Sequence, residues 1–163
     1  MTKTFLSLFL GLAVCSSGYC QSFEEFFADK TLRADYLFTG NKKNQSVVLD
    51  ELKSMEGWAG RRSNLDKLPL SGNGQLTMVD KATGVVIYRT SFSSLFQEWL
   101  GENEAETLSK GYENTFLMPF PKKETLVTVE LFNARHEVSA SFTHTVRPDD
   151  ILIKKIGQNN VTE

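Results

Sequence analysis

Short segments in which apolar and polar residues alternate constrain the fold of this chain most strongly. Leu32, Ala34, Tyr36 and Phe38 are separated by single residues, and the same period recurs over residues 126–132 and 138–145. A period of two is typical of a strand with one buried face. Several such segments separated by Gly and Asn turns predict a mainly β protein, an antiparallel β-sandwich with one short amphipathic helix.

Turn residues divide these segments. Residues 40–44 form a polar turn, and Asn73-Gly74 is typical of a tight hairpin because both residues tolerate positive φ angles. Residues 80–84 predict a second hairpin, between strands at 76–79 and 85–89. Further extended segments are predicted at 47–49 and 149–156, and a long ordered loop at 57–69.

The predicted helix follows Ser94, which can accept a hydrogen bond at the helix start, with Gln97 three residues later as a capping box. Its predicted apolar face consists of Leu95, Phe96 and Trp99. Two shorter helical pieces are predicted at 23–27 and 102–108.

The first 20 residues have the pattern of a signal peptide. Lys3 precedes an apolar run over residues 5–14, and small residues follow at 16–18. The run is shorter than the roughly 20 residues that a bilayer span requires. We therefore expect a secreted or periplasmic protein whose mature part, residues 21–163, is one domain. Lipid anchoring through Cys15 or Cys20 is disfavoured, because Val14 and Tyr19 precede them.

Cysteine usage and charge exclude several classes of protein. Cys15 and Cys20 are the two cysteines, so removal of residues 1–20 leaves no disulfide, thiolate metal site or cysteine nucleophile. The formal net charge is −2, and acidic and basic residues are interspersed. No basic run suggests nucleic acid or a membrane surface as a partner.

Four aromatic-rich blocks carry a family resemblance. They are TLRADYLFTGN at 31–41, GWAGRR at 57–62, VIYRTSFSSLFQEW at 86–99 and PFP at 119–121. The residues of these blocks and their order resemble the N-terminal domain of the secreted IgA-peptidase-like zinc metallopeptidases of gut bacteria, over residues 23–156. The resemblance implies that this domain precedes the catalytic one and that its partners are that downstream domain and a protein or glycan substrate.

The resemblance also implies that this chain has no catalytic or metal residue and no cofactor, because the family binds zinc through an H-E-x-x-H helix further downstream. Two interpretations stay open. The chain is the front part of a peptidase, or it is a stand-alone carbohydrate- or protein-binding module.

The segment His136-Glu137-Val138-Ser139-Ala140 begins like that zinc motif, but Ala140 stands where the second histidine is required. The segment also alternates like a strand, so residues four apart would not stack as they do on a helix. His136 and His144 are the two histidines of the chain. We interpret His136 as a surface histidine.

An enzyme with an unrecognised site is a third, weaker interpretation. Ser93 and Ser94 have no histidine nearby and no nucleophile-elbow sequence, and capping explains Ser94. The acidic residues at 24–25, 102–106 and 149–150 lie at element ends, and nothing distinguishes an acid from a base among them.

The candidate binding residues are Trp58, Arg61, Arg62 and Trp99. Trp58 could stack on a sugar or peptide while the two arginines pair with a carboxylate. The alternative is a loop folded back on the sandwich, with Trp58 at the core edge and an arginine bonded to loop carbonyls. Trp99 fits either the core or a surface that meets a following domain.

Overall fold

The computed structural model describes residues 22–68 and 70–157, and it confirms the predicted β-sandwich. Two four-stranded sheets pack face to face, with strand orders β5-β1-β2-β8 and β4-β3-β6-β7. All strand pairs are antiparallel except β2–β8. The predicted signal peptide lies outside the described residues.

The first sheet contains β1 (Phe27–Gly40), β2 (Gln45–Glu56), β5 (Lys110–Pro121) and β8 (Lys154–Lys155). The second contains β3 (Gly74–Asp80), β4 (Val86–Phe92), β6 (Thr125–Phe132) and β7 (Val138–Val146). The helical elements are α1 (Phe23–Phe26), α2 (Leu95–Trp99) and a 3-10 helix (Asn103–Glu106).

Strand β1 supplies the centre of the core, as its alternation predicts. Leu32, Ala34, Tyr36 and Phe38 are all buried against the second sheet. Phe38 contacts the rings of three other elements, since it lies near Phe92 on β4, Phe96 on α2 and Phe116 on β5. These aromatic contacts join both sheets and the helix.

Strand β2 is longer than the sequence predicts. The prediction covered residues 47–49, whereas β2 runs from Gln45 to Glu56 and pairs with β1 over almost its whole length. Its second half is charged, and the outward carboxylate of Glu51 pairs with Lys53 and Lys154. Pairing with a long neighbour therefore overrides a local composition that is poor in strand formers.

The hairpin predicted at Asn73-Gly74 is wrong. Gly74 is the first residue of β3, and neither residue has a positive φ. A Cβ added at Gly74 would lie 2.3 Å from the Phe92 ring, so glycine is needed here for the close approach of an aromatic side chain. Asn73 instead accepts a hydrogen bond from the backbone N–H of Ser94. The hairpin predicted at 80–84 is confirmed, with Gly84 at φ +71°.

The last predicted strand, at 149–156, is mostly wrong as well. Residues 150–153 form a turn, and only Lys154 and Lys155 pair with β2. Ile153 is buried in this turn, whereas Ile151 and Leu152 are 94% and 76% exposed. The isoleucines at 151, 153 and 156 thus predict a regular strand, whereas only a two-residue parallel pairing with β2 forms.

Helix α2 begins where the capping residues predict. The Ser94 hydroxyl accepts a hydrogen bond from the backbone N–H of Gln97. Phe96 and Trp99 are buried, but Leu95 is 68% exposed, so its predicted place on the apolar face is wrong. A five-residue helix makes little more than one turn, and its buried contacts are confined to two positions.

Candidate functional site

The Trp58 side chain is held within its own loop. Its indole N–H donates to the carbonyl of Arg61 at 3.0 Å, and its ring meets Tyr88 edge-on with centroids 6.2 Å apart. Gly60 lies under the indole, because a Cβ there would be 2.2 Å from the ring. The glycines of this block therefore allow the loop to fold around the tryptophan.

Arg61 holds the loop against the edge of β4. Its guanidinium donates to the carbonyls of Asn64, Leu65 and Arg89 and lies 5.3 Å from the centre of the Tyr88 ring. This is the arrangement expected of an arginine that satisfies loop carbonyls.

Arg62 is the more exposed arginine of the pair. It forms an ion pair with Asp29, and its guanidinium lies 4.6 Å from the centre of the Phe23 ring. Hydrogen bonds from Arg62 and from the backbone N–H of Trp58 lower the pKa of Asp29.

Trp99 is 8% exposed and packs between Phe96 and Tyr112. Its indole N–H donates to Glu104 at 2.9 Å, and Lys110 lies over the ring while pairing with the same carboxylate. No contact in the described part of the chain joins Trp99 to the loop of Trp58. The binding role of these four residues stays a prediction, but each already has partners within the fold.

The two histidines lie apart. His136 lies in the β6–β7 turn at φ +60°, before the strand that carries Ala140, so the H-E-x-x-H spacing does not fall on a helix. His144 on β7 lies 2.7 Å from the Tyr36 hydroxyl through Nε2. Burial lowers the pKa of His144 to about 4. Over residues 22–68 and 70–157, no three His, Cys, Asp or Glu side chains cluster as metal ligands.

A closed charge network covers the outer face of the first sheet. Asp35 accepts hydrogen bonds from Arg33, Thr115 and Lys53. Burial alone would raise the pKa of this carboxyl, but these three donors outweigh it and lower the pKa to about 2. All three donors belong to strands of the first sheet, so the carboxylate is satisfied within that sheet.

Sequence reasoning missed a groove at one end of the sandwich. It has a volume of about 560 Å³ and lies between segment 71–73, helix α2 and the β6–β7 turn. A smaller groove of about 340 Å³ continues it towards Leu68 and Leu70. We call the two together the end groove; its lining includes Ser71, Asn73, Gln97, Phe132, Asn133 and His136. In the sequence, the signal for it is the run of Ser, Gly and Asn at 71–74, which predicts a hairpin instead.

The exposed pair Ile151 and Leu152 was also missed. The two residues follow β7 on the turn to β8, beside Ile153, which is buried. Exposed apolar patches mark contacts with partners when they are large, and this pair is the most exposed apolar segment among the described residues. The sequence pattern predicts that they lie in a strand, whereas they lie on a turn.

The fold and these surfaces define a β-sandwich domain. The sequence pattern of the family Peptidase M64 N-terminus matches residues 22–143, most of the chain. The chain therefore belongs to this family of peptidase N-terminal domains, which confirms the resemblance found in the aromatic blocks. A comparison with curated proteins found no match. Within the described ranges, no helix has both the length and the apolar character to cross a bilayer.

Proposed function

We propose that this chain is the non-catalytic N-terminal accessory domain of an exported zinc metallopeptidase. In this proposal it packs against the catalytic domain that follows it in the family and helps to position protein substrates. Export rests on the signal-peptide pattern of residues 1–20. Family membership supports the place of the domain in a peptidase.

The exposed pair Ile151 and Leu152 carries the packing part of the proposal. The pair lies on the turn after β7, beyond the family match that ends at residue 143. Burying two such side chains in a partner contributes roughly 1.5 to 3 kcal/mol each. The exposed apolar turn before β8 is therefore suited to contact a following domain.

The proposed lack of catalysis is supported by what the candidate side chains do. Ser94 caps α2, and His144 contacts the buried Tyr36 hydroxyl. His136 lies on an exposed turn, and among the described residues no serine hydroxyl forms a hydrogen bond with its ring. A serine nucleophile needs a histidine within hydrogen-bond reach to activate it.

Mixing the chain with the zinc catalytic domain of a peptidase of this family tests the packing. We expect the backbone amides of residues 150–156 to gain protection from hydrogen exchange. Replacing both residues, Ile151→Ser and Leu152→Ser, should weaken binding at least tenfold. The matched control is Leu117→Ser, which changes an apolar residue of β5 that is 52% exposed. Unchanged exchange at 150–156 would refute this contact.

The end groove favours a second candidate function, a glycan- or peptide-binding module. Amide and hydroxyl side chains surround the partly exposed Phe132 ring, a combination that suits both kinds of ligand. A screen of soluble glycans and unstructured peptides by calorimetry tests this function. Binding that is lost in His136→Ala and retained in Arg62→Ala would place the ligand in the end groove.

A further inference from the structure

The segment that precedes β3 is fixed at both of its ends. The Ser91 hydroxyl on β4 donates to the Leu70 carbonyl, and the Phe132 N–H on β6 donates to the Asn73 carbonyl. Both donors belong to the second sheet. The residues between these two points are therefore held in one place relative to that sheet.

The two residues between these points have free backbone groups. Ser71, which is exposed, and Gly72 line both parts of the end groove. Among the described residues, no hydrogen bond is formed by the backbone N–H or C=O group of either one. Backbone groups that the protein does not satisfy bond to water or to a ligand. The end groove thus contains a fixed set of backbone donors and acceptors.

Exposed apolar side chains line the smaller part of the end groove. Leu68 and Leu70 are 41% and 76% exposed, and the partly exposed Phe132 ring belongs to the same lining. An apolar side chain of a ligand is stabilised when it covers such a surface. A polypeptide carries apolar side chains on a backbone that can pair with Ser71 and Gly72, whereas a soluble glycan presents mainly hydroxyl groups. These contacts favour a polypeptide.

The charged side chains that line the end groove are basic. The lining includes Lys42 and His136 but, within the described residues, no Asp or Glu. Lys42 pairs with Glu106, yet both side chains are partly exposed, and exposed ion pairs contribute little. Glu137, the neighbour of His136, accepts a hydrogen bond from the Asn133 amide. The groove is therefore complementary to an acidic group.

We propose that the end groove binds an extended polypeptide segment in which an acidic residue lies next to a large apolar residue. The two residues are close together because His136 lines both parts of the groove. The segment's backbone pairs with Ser71 and Gly72 as an added strand does, and its apolar side chain lies against Leu70. This inference rests on the second candidate function, binding at the end groove, and names its ligand class.

Fluorescence polarisation with the whole chain tests the ligand class. The probes are labelled hexapeptides of Gly and Ser that carry Glu and Leu at their centre, in both orders. Matched probes carry Lys with Leu, or Glu with Ser. We expect the better of the two Glu and Leu probes to bind at least about tenfold more tightly than either matched probe. Equal affinities for all of the probes would overturn the proposal.

Methylation of the peptide's amide nitrogens tests the backbone pairing. In an added strand, alternate residues direct their N–H groups towards the partner. Methylation of one alternate set of amides should weaken binding at least about tenfold, and methylation of the other set should change it less than about threefold. The side chains are identical in the two peptides. Equal effects of the two sets would overturn the pairing.

Variants of the chain locate the ligand. Lys42→Glu should weaken binding of the Glu and Leu probe and strengthen binding of the Lys and Leu probe, an exchange of preference that a folding defect cannot produce. Lys43→Glu is the matched control, because Lys43 is exposed and lies outside the lining. Leu70→Ser should weaken binding at least about fivefold. Leu117→Ser, on the outer face of the first sheet, should not.

Other occupants of the groove give different results. Binding of soluble glycans alone, abolished by His136→Ala, would overturn this inference but retain a binding function at the end groove. Binding of neither glycans nor peptides would overturn both. Protection of the Ser71 and Gly72 amides that rises with the concentration of the chain alone would make a second copy the occupant. Hydrogen exchange at residues 150–156 tests the accessory role separately.

Discussion

The loop after β2 shows how neighbouring side chains of the same type can have different tasks. Arg61 donates to three backbone carbonyls within the fold, whereas Arg62 forms an exposed ion pair with Asp29. Buried acceptors that lose a donor pay a desolvation cost, while exposed ion pairs are screened by water. The two arginines differ in the direction of their side chains. Arg61 points towards β4, where it reaches the Arg89 carbonyl, and Arg62 points towards Asp29.

Arg61→Ala is expected to lower the free energy of unfolding by about 2 kcal/mol. The partly buried Arg89 carbonyl loses a charged donor, whereas the Leu65 carbonyl keeps the Arg89 N–H and the bond to Asn64 is exposed. Urea unfolding followed by tryptophan fluorescence measures the loss. Arg62→Ala is the matched control and should cause a much smaller loss. Equal losses in the two variants would contradict the structural role of Arg61.

His144 is expected to make stability depend on pH. Burial lowers its folded pKa from 6.5 to about 4, so the unfolded chain binds more protons between these values. Stability is then fully present above pH 6.5 and falls by about 2 to 3 kcal/mol as the pH drops to 4. Urea midpoints at pH 7, 5.5 and 4.5 measure the slope.

His144→Gln keeps a polar side chain beside the Tyr36 hydroxyl but cannot titrate. Its stability should fall much less over the same pH range, where carboxyls with a lowered pKa, such as Glu51 and Glu104, make the remaining contribution. Asp35, whose folded pKa is about 2, affects stability only below pH 4 and so leaves this window undisturbed. If the urea midpoint of His144→Gln depended on pH as steeply as that of the parent chain, a group other than His144 would be responsible for the pH dependence.

At the scale of elements, α2 depends on its neighbours. A helix of five residues is unstable in isolation. The free-energy cost of forming the first turn exceeds the stabilisation from the hydrogen bonds of that turn. The Gln97 side chain donates to the carbonyls of Asn73 and Phe132 and so fixes α2 to the ends of β3 and β6. The capping side chains thus join the helix to the second sheet.

Ser94→Ala removes the cap and should cost about 1 kcal/mol of stability. Gln97→Ala should cost more, since its hydrogen bonds to the Asn73 and Phe132 carbonyls are both lost, although the Asn73 carbonyl still accepts from the Phe132 N–H. Leu95→Ala is the control, because Leu95 is 68% exposed and alanine retains the helix. Hydrogen exchange of the Glu98 and Leu100 amides reports opening of α2; unchanged exchange in Ser94→Ala would refute the cap.

For the whole molecule, Phe38 should make the two sheets unfold together. It is fully buried and contacts rings of β4, β5 and α2. Phe38→Ala should lower the free energy of unfolding by about 3 to 5 kcal/mol. Leu117→Ala, on the exposed face of β5, should change it little.

Single-tryptophan variants provide the measurement, since Trp58 reports on the loop at β4 and Trp99 on the contact of α2 with β5. The two urea transitions should coincide in the parent chain and shift together in Phe38→Ala. Transitions that separate would show that the sheets are not one cooperative unit.

Sequence pattern predicted the elements whose signals are local. The alternation in β1 and β6, the hairpin at 80–84 and the cap at Ser94 each depend on residues adjacent in the chain. Four aromatic blocks were also enough to predict the family. In these regions, propensity, periodicity and turn chemistry agree.

The tertiary structure decided the rest, because the determining contacts are distant in sequence. Pairing with β1 extends β2 through charged residues, and the Phe92 ring explains Gly74 where a turn was predicted. The end groove exists only once separate segments meet at one end of the sandwich. Period and composition indicate which residues prefer to be buried, but they do not specify which strands become neighbours in the two sheets.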